Sequence, residues 1–306
     1  MFKKILLGLV MLVVTVIFFA QTTGAEASSS LGLIVSPPLV EKSVSPGESV
    51  SDVIKVTNPT TSVLSVSVSV KDFVAKGETG DRTFINSADN TSPYVLGKWI
   101  SFDDKFTLGA NESKDIEYSV NVPKDAEPGG HYAVILFSPT TNDSSTNDSS
   151  GAIIMPSVGP TLLITVNGDI KYNAKIKEFS TEKNFYLESK NKINFKTRFE
   201  NNGSVHVVPT GNIVIKNTLG KTVSTLDVNK EKSHVLSDSI RAFSSSWEKS
   251  YGFGLYKATL TLNYGDGKTM SGDVSFWIIP WKETAGAIII ILIFVWVLSR
   301  LEWKKK

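Results

Sequence analysis

From residue 28 to residue 280 apolar residues recur mostly at every second position, with almost none of the three- and four-residue spacing of a helix. Residues 62–70 place Val66, Val68 and Val70 on one face and serines on the other. A strand patterned in this way lies in an antiparallel sheet, with one face on a core and the other in water. Similar stretches are 50–57, 116–122, 132–137, 153–166, 193–199, 212–216, 256–262 and 274–279. Turn residues separate them: Ser45-Pro46-Gly47-Glu48, Asn58-Pro59, Asn201-Asn202-Gly203, Leu219-Gly220-Lys221 and Gly265-Asp266-Gly267. Short strands spaced by such turns predict β-sandwiches.

Two segments break this pattern. Residues 5–20 are apolar, follow Lys3 and Lys4, and lead to Ala25-Glu26-Ala27. A basic start, an apolar run and small residues at the exit predict a secretory signal peptide over 1–27. At the other end, residues 285–298 carry no charge. The 281–301 stretch, at about 1.5 Å per helical residue, is long enough to cross a hydrocarbon core. Arg300 and Lys304, Lys305 and Lys306 follow, and the positive-inside rule assigns them to the cytoplasm. The expectation is a transmembrane helix over 281–301 and a basic cytoplasmic tail over 302–306. The body is then extracellular, and the protein is a single-pass protein of the cell membrane.

The body divides in two. Residues 54–59 resemble 197–202, each a strand ending in a turn-forming Asn. Residues 130–136 resemble 254–260, each opening Gly-x-Tyr before an apolar strand. The fold class expected is all-β: two tandem Ig-like β-sandwiches, 28–168 and 169–280, plus one C-terminal transmembrane helix. The boundary near Asn167-Gly168-Asp169 is short enough to hold the sandwiches at a preferred angle. Tyr132 and Tyr256 read as structural tyrosine corners, each hydroxyl tied back to backbone of its own domain. Residues 140–150 lack apolar side chains and predict a mobile hairpin tip.

Composition narrows the chemistry. The 306-residue chain has no cysteine, three histidines and a net charge of +2. Disulfides, thiolate metal sites and cysteine nucleophiles are excluded, and a dedicated nucleic-acid binder would be more basic. The charge is unevenly spread. Residues 28–168 hold nine basic and sixteen acidic positions, whereas residues 169–280 hold sixteen basic and eleven acidic. No phosphate loop, dinucleotide fingerprint or His-Glu-x-x-His is present. His131, His206 and His234 read as surface or packing residues. Asp103-Asp104 reads as a turn before it reads as a calcium ligand pair. No catalytic, cofactor-binding or metal-ligating residue is expected, and the protein is not expected to be an enzyme. Tyr94, Trp99 and Phe102 are the candidate binding aromatics, because aromatic faces flanked by polar groups suit sugar or peptide recognition.

Residues 33–38, Pro128-Gly129-Gly130-His131-Tyr132, the 151–166 strand, Gly254-Leu255-Tyr256 and Phe276-Trp277-Ile278-Ile279-Pro280 carry a resemblance to the WxL-interacting surface proteins of Gram-positive bacteria. That resemblance implies a membrane-anchored surface binding or scaffold protein. In that family the first domain is assigned to peptidoglycan binding and the second to host or partner proteins, so the partners expected are bacterial surface proteins or peptidoglycan and anionic wall polymer. A second reading competes. Ser45-Pro46-Gly47-Glu48 and Val56-Thr57-Asn58-Pro59 also suit the two-sandwich pilus-type chaperones, which assist the assembly of surface subunits.

Overall fold

A computed structural model describes residues 32–85, 92–141, 156–188, 191–249 and 252–303. The signal-peptide stretch, most of the 140–150 tip and the last three lysines lie outside these residues.

The first ten strands are β1 (Ile34–Ser36), β2 (Leu39–Val44), β3 (Ser49–Thr57), β4 (Leu64–Lys76), β5 (Asp81–Ile85), β6 (Ile100–Phe102), β7 (Lys105–Leu108), β8 (Ser113–Asn121), β9 (Gly129–Thr141) and β10 (Thr161–Val166). They form two facing sheets. One has the order β1-β3-β8-β6, the other β2-β10-β9-β4-β5 with β7 also on β4. Between β1 and β2 the Ser36–Pro37 peptide is cis. There the chain changes sheets: β1 pairs antiparallel with β3, and β2 pairs parallel with β10. Ile54, Val56, Leu64, Val66, Ile116, Val120, Ile135, Phe137, Leu162 and Ile164 fill the space between the sheets. Asp103 and Asp104 lie between β6 and β7, and the Asp104 carbonyl accepts the Val68 N–H at 2.8 Å.

Eight more strands make the second sandwich: β11 (Ala174–Thr181), β12 (Phe185–Tyr186), β13 (Asn191–Asn201), β14 (Thr210–Asn217), β15 (Thr222–Val228), β16 (Ser239–Lys249), β17 (Gly254–Tyr264) and β18 (Lys268–Ile278). Their sheets run β11-β13-β16 and β12-β18-β17-β14-β15. Ile193, Phe195, Phe199, Ile213, Ile215, Ala258, Leu260, Leu262 and Phe276 form the core. Every stretch expected from alternation contains a strand; of 153–166, the first three residues lie outside the described residues and β10 covers Thr161–Val166. Strands β1, β2, β5, β6, β7, β11, β12, β15 and β16 lie outside those stretches, being short, polar or interrupted. β16, for example, runs Ser-Ile-Arg-Ala-Phe-Ser-Ser-Ser-Trp-Glu-Lys, and β13 beside it supplies the order that its own sequence does not.

The matched asparagines play the same part in both sandwiches. Asn58 is fully buried; its amide donates to the Ser62 and Gly109 carbonyls at 2.8 Å, and its Oδ1 accepts the Thr60 N–H at 3.0 Å. Asn201 is fully buried; its amide donates to the carbonyls of Val205, Val235 and Leu236 at 2.9–3.1 Å, and its Oδ1 accepts the Gly203 N–H. Each side chain satisfies loop backbone that would otherwise be stranded in the interior.

After β18 two residues lead into α1 (Trp281–Trp303), which runs two residues beyond the expected end at 301. Within it Trp281–Arg300 is long and apolar enough to cross a membrane, with a mean hydropathy of 1.9 and none of the stretch buried. The Trp281 N–H donates to the Leu187 carbonyl at 3.2 Å, so the helix root is tied to the second sandwich. Exposed Phe185, Leu187 and Trp277 belong to the same end, Phe185 lying opposite Trp277 between β12 and β18.

Candidate interdomain cleft

Strand β9 explains where the two sandwiches meet. Its odd positions Ala133, Ile135 and Phe137 face the first core, and in a two-sided strand the even positions point the other way. Those even positions are also apolar. Tyr132 and Val134 join Phe73 of β4 and Leu163 of β10 in a separate buried cluster, with Tyr94, Leu136 and Leu236 against it. Leu236 comes from the second sandwich, just before β16. Both faces of this sheet are therefore covered, which is why residues 130–137 lose the wet face expected of a solvated sandwich strand.

Hydrogen bonds secure the contact. The Gly130 N–H donates to the Ser204 carbonyl at 2.8 Å. Gly129 adopts φ +139°, and a Cβ there would lie 2.5 Å from the same carbonyl, so only glycine permits this approach. The Tyr132 hydroxyl lies 2.9 Å from Ser237 Oγ, 105 residues away in the other sandwich. This corrects the tyrosine-corner expectation at Tyr132: the hydroxyl ties two domains together rather than closing a corner within one. Burial pushes its phenol up to about 12. Tyr256, at the matching place on β17, instead faces inward. It stacks on Phe276 with ring centroids 5.8 Å apart and meets Trp247 edge-on at 5.7 Å.

Charged pairs surround the apolar contact. The Tyr94 hydroxyl donates to the Asp238 carboxylate, and burial followed by that carboxylate raises the phenol pKa. Arg198 forks onto Glu78, Nε donating to Oε2 at 2.8 Å, while the Glu78 carbonyl accepts the Ala242 N–H. The Arg198 hydrogen bond holds the Glu78 carboxyl below its ordinary range. Glu41 of β2 receives two histidines of the second sandwich, His206 Nε2 at 2.9 Å and His234 Nε2 at 3.1 Å. Burial of Glu41 works to raise its carboxyl, but the two histidine hydrogen bonds outweigh it and the net shift is downward. His206 is buried, and that burial pulls its imidazole below 6.5.

Beside these contacts a cleft of about 360 Å³ opens between the sandwiches. Leu39, Phe73 and Leu163 give it apolar walls, Arg82, Arg241, Lys232 and His234 give it basic groups, and Asp81 and Glu231 give it two carboxylates. Arg82 lies over the Phe73 ring, 5.1 Å from its centroid, and its Nη1 donates to Thr161 Oγ1 at 2.7 Å. Arg241 Nη1 donates to the His234 carbonyl at 2.8 Å. Burial lowers the Arg241 pKa. A guanidinium presents five N–H donors in a planar fork, so each arginine offers a carboxylate more than the single bonds named here consume.

The three candidate aromatics are not brought together. Tyr94 is part of the interdomain contact. Trp99 packs on the first core and against His131, 4.4 Å between centroids, and lines a second cavity of about 410 Å³. Phe102 packs on the same core and lines a shallow third cavity beside Tyr118 and Asp52. All three are partly buried in packing contacts. His131 is buried, with Nδ1 3.0 Å from the Val95 carbonyl and Nε2 3.0 Å from the Glu127 carbonyl. The expectation of ordinary histidines therefore fits His131, whose neighbours all belong to its own sandwich. His206 and His234 converge on one carboxylate from the other sandwich. The arginines and Glu41 also escaped sequence reading. Glu41 and His206 are 165 positions apart, and no local pattern links them.

No known protein family and no curated protein matches this sequence. Among solved structures the chain is similar to the class 5 fimbriae chaperone CfaA, at 13 % identity and TM-score 0.42, over 80 % of this chain and 99 % of that one. It is also similar to the Salmonella enterica SafB chaperone in complex with the SafA pilin, at 12 % identity and TM-score 0.39, over 80 % and 96 %. A third similarity is to the E. coli chaperone DraB, at 13 % identity and TM-score 0.35, over 80 % and 96 %. The assignment to the all-β class rests on the eighteen strands and two cores described above.

Proposed function

We propose that this chain is an exported, membrane-tethered binding protein that engages another surface protein without turnover. The interdomain cleft carries the reading. Its apolar walls at Leu39, Phe73 and Leu163 and its guanidinium groups at Arg82 and Arg241 suit an extended segment that combines apolar side chains with a carboxylate. The bridging bonds hold the cleft at a set angle, so a partner would not have to order it. Kinship with the WxL-interacting proteins, a cleaved signal peptide, and an extracellular body on one spanning helix complete this reading. The apolar α1 stretch supports the last of these.

A role in assembling surface subunits is the second reading, favoured by the same cleft, because two sandwiches locked together can hold an unfinished subunit. Retention from surface extracts by the full-length chain in detergent, compared with the R82A/R241A double variant, tests both. Surface proteins retained by the wild type and lost with the double variant are expected. Folded partners point to a scaffold, and unfolded subunits to assembly. Retention of nothing above an unrelated sandwich protein, or equal retention by the variant, overturns the cleft reading. Retention of wall fragments alone would move the partner from protein to wall polymer.

A further inference from the structure

Glu41, His206 and His234 stand on three separate segments: β2 of the first sandwich, the connection after β13, and the connection before β16. Their ligating atoms all lie within 4.8 Å of one another. We infer that this trio is a binding site for one divalent transition-metal ion of the zinc type, bridging the two sandwiches.

The donor set selects that chemistry. Two imidazole nitrogens and one carboxylate are ligands for zinc and its neighbours, while calcium and magnesium require oxygen ligands. Three protein ligands leave a fourth tetrahedral position for water or a partner group. With metal–ligand bonds of about 2.0–2.1 Å, tetrahedral ligand atoms sit roughly 3.3 Å apart. The separations of 2.9 and 3.1 Å from Glu41 to the two histidines fall just short of this. His206 is held rigidly, its side chain 3 % exposed. The Glu41 side chain is 51 % exposed, so an ion can enter from the solvent side and the carboxylate has room to turn toward it.

Loading requires a change of tautomer at His206. With Nε2–H of His206 donated to Glu41, its buried Nδ1 carries a lone pair that no group accompanies. Binding an ion through Nε2 moves that proton to Nδ1, a change of tautomer with no charged imidazole formed. Metal-bound histidines usually hand the remaining N–H to an acceptor, and lack of one typically costs about 10–100-fold in affinity. The site is expected to be weaker than a structural zinc site by about that factor.

The experiment uses the full-length chain in detergent micelles, purified without a histidine tag. Zinc chloride is titrated by calorimetry, and cobalt(II) is followed by its visible absorption. Expected are one zinc ion per chain, a cobalt spectrum of tetrahedral intensity, and at least about 10-fold weaker zinc binding in both E41Q and H234N. A millimolar excess of calcium or magnesium should leave the zinc isotherm unchanged. His206 is buried and is left intact, so that loss of binding is not loss of fold. The chain has no cysteine and only one other histidine, so competing sites are few. Absence of saturable zinc binding, a cobalt spectrum of octahedral weakness, or unchanged affinity in E41Q and H234N would overturn the site and leave a hydrogen-bonded trio.

Discussion

Tyr132 shows how much one hydroxyl can decide. It is 1 % exposed, and it joins Ser237 across the domain boundary. Tyr132→Phe should lower stability by about 0.5–1.5 kcal/mol, the usual net value of a buried hydrogen bond. Ser237→Ala should cost a similar amount, and the double variant less than the sum, because both remove one bond. Urea unfolding of all three checks this, and strict additivity would count against the bond. Acid sensitivity is the second expectation at this scale. Burial pulls the imidazoles of His131 and His206 below 6.5 in the folded chain. Glu127 and Asp72 pull His131 back upward, and Glu41 does so for His206, without reversing either shift. The unfolded chain therefore binds more protons as pH falls through about 6.5, and stability drops until the folded pKa values are passed. The urea midpoint should be lower at about pH 5.5 than at about pH 7.5, with a smaller difference in His131→Gln.

Strands and their connections depend on a few polar side chains at the loop ends. Asn58 and Asn201 each satisfy buried backbone at the end of a strand, β3 and β13 respectively. Replacing either by alanine strands several carbonyls, at about 1–3 kcal/mol for each group left without a partner. Asn58→Ala should destabilise the first sandwich and Asn201→Ala the second, and hydrogen exchange should locate the loss in the strands of each. Uniform loss over both sandwiches in both variants would mean that the two unfold as one unit. The 54–59 and 197–202 likeness is thus a likeness of function as well as of pattern. The likeness of residues 130–136 to 254–260 holds only for the strands. Tyr132 faces the neighbouring sandwich and Tyr256 its own core, because a second layer covers the outer face of β9.

At the scale of the molecule, the orientation of α1 decides on which side of the bilayer the two sandwiches stand. If Trp281–Arg300 spans the membrane with Arg300 inside, the basic second sandwich is next to the bilayer and the acidic first one is distal. Protease added to intact cells, or to cells stripped of wall, should then remove the body and leave a short membrane-bound fragment. Full protection of the body would reverse the topology. The short join between Val166 and Ala174, together with the Arg198–Glu78, Tyr94–Asp238 and Gly130–Ser204 bonds, predicts that domain angle survives in solution.

Period-two alternation, turn residues and one apolar run were enough by themselves to determine an all-β body and a helix able to cross a membrane, because strand and helix periodicity are local properties of the chain. Alternation even placed Val66 and Val68 correctly in the first core. The cleft could not be read that way. The residues of the cleft and of the contacts beside it lie on distant segments, Glu41 and His234 being 193 positions apart, and each looks ordinary where it stands: a glutamate on an edge strand, a histidine after a turn, an arginine at a strand start. Only the packing of one sandwich against the other turned the second face of β9 into an interface and brought two histidines to one carboxylate, since contact between distant segments depends on the geometry of the whole fold rather than on any local pattern.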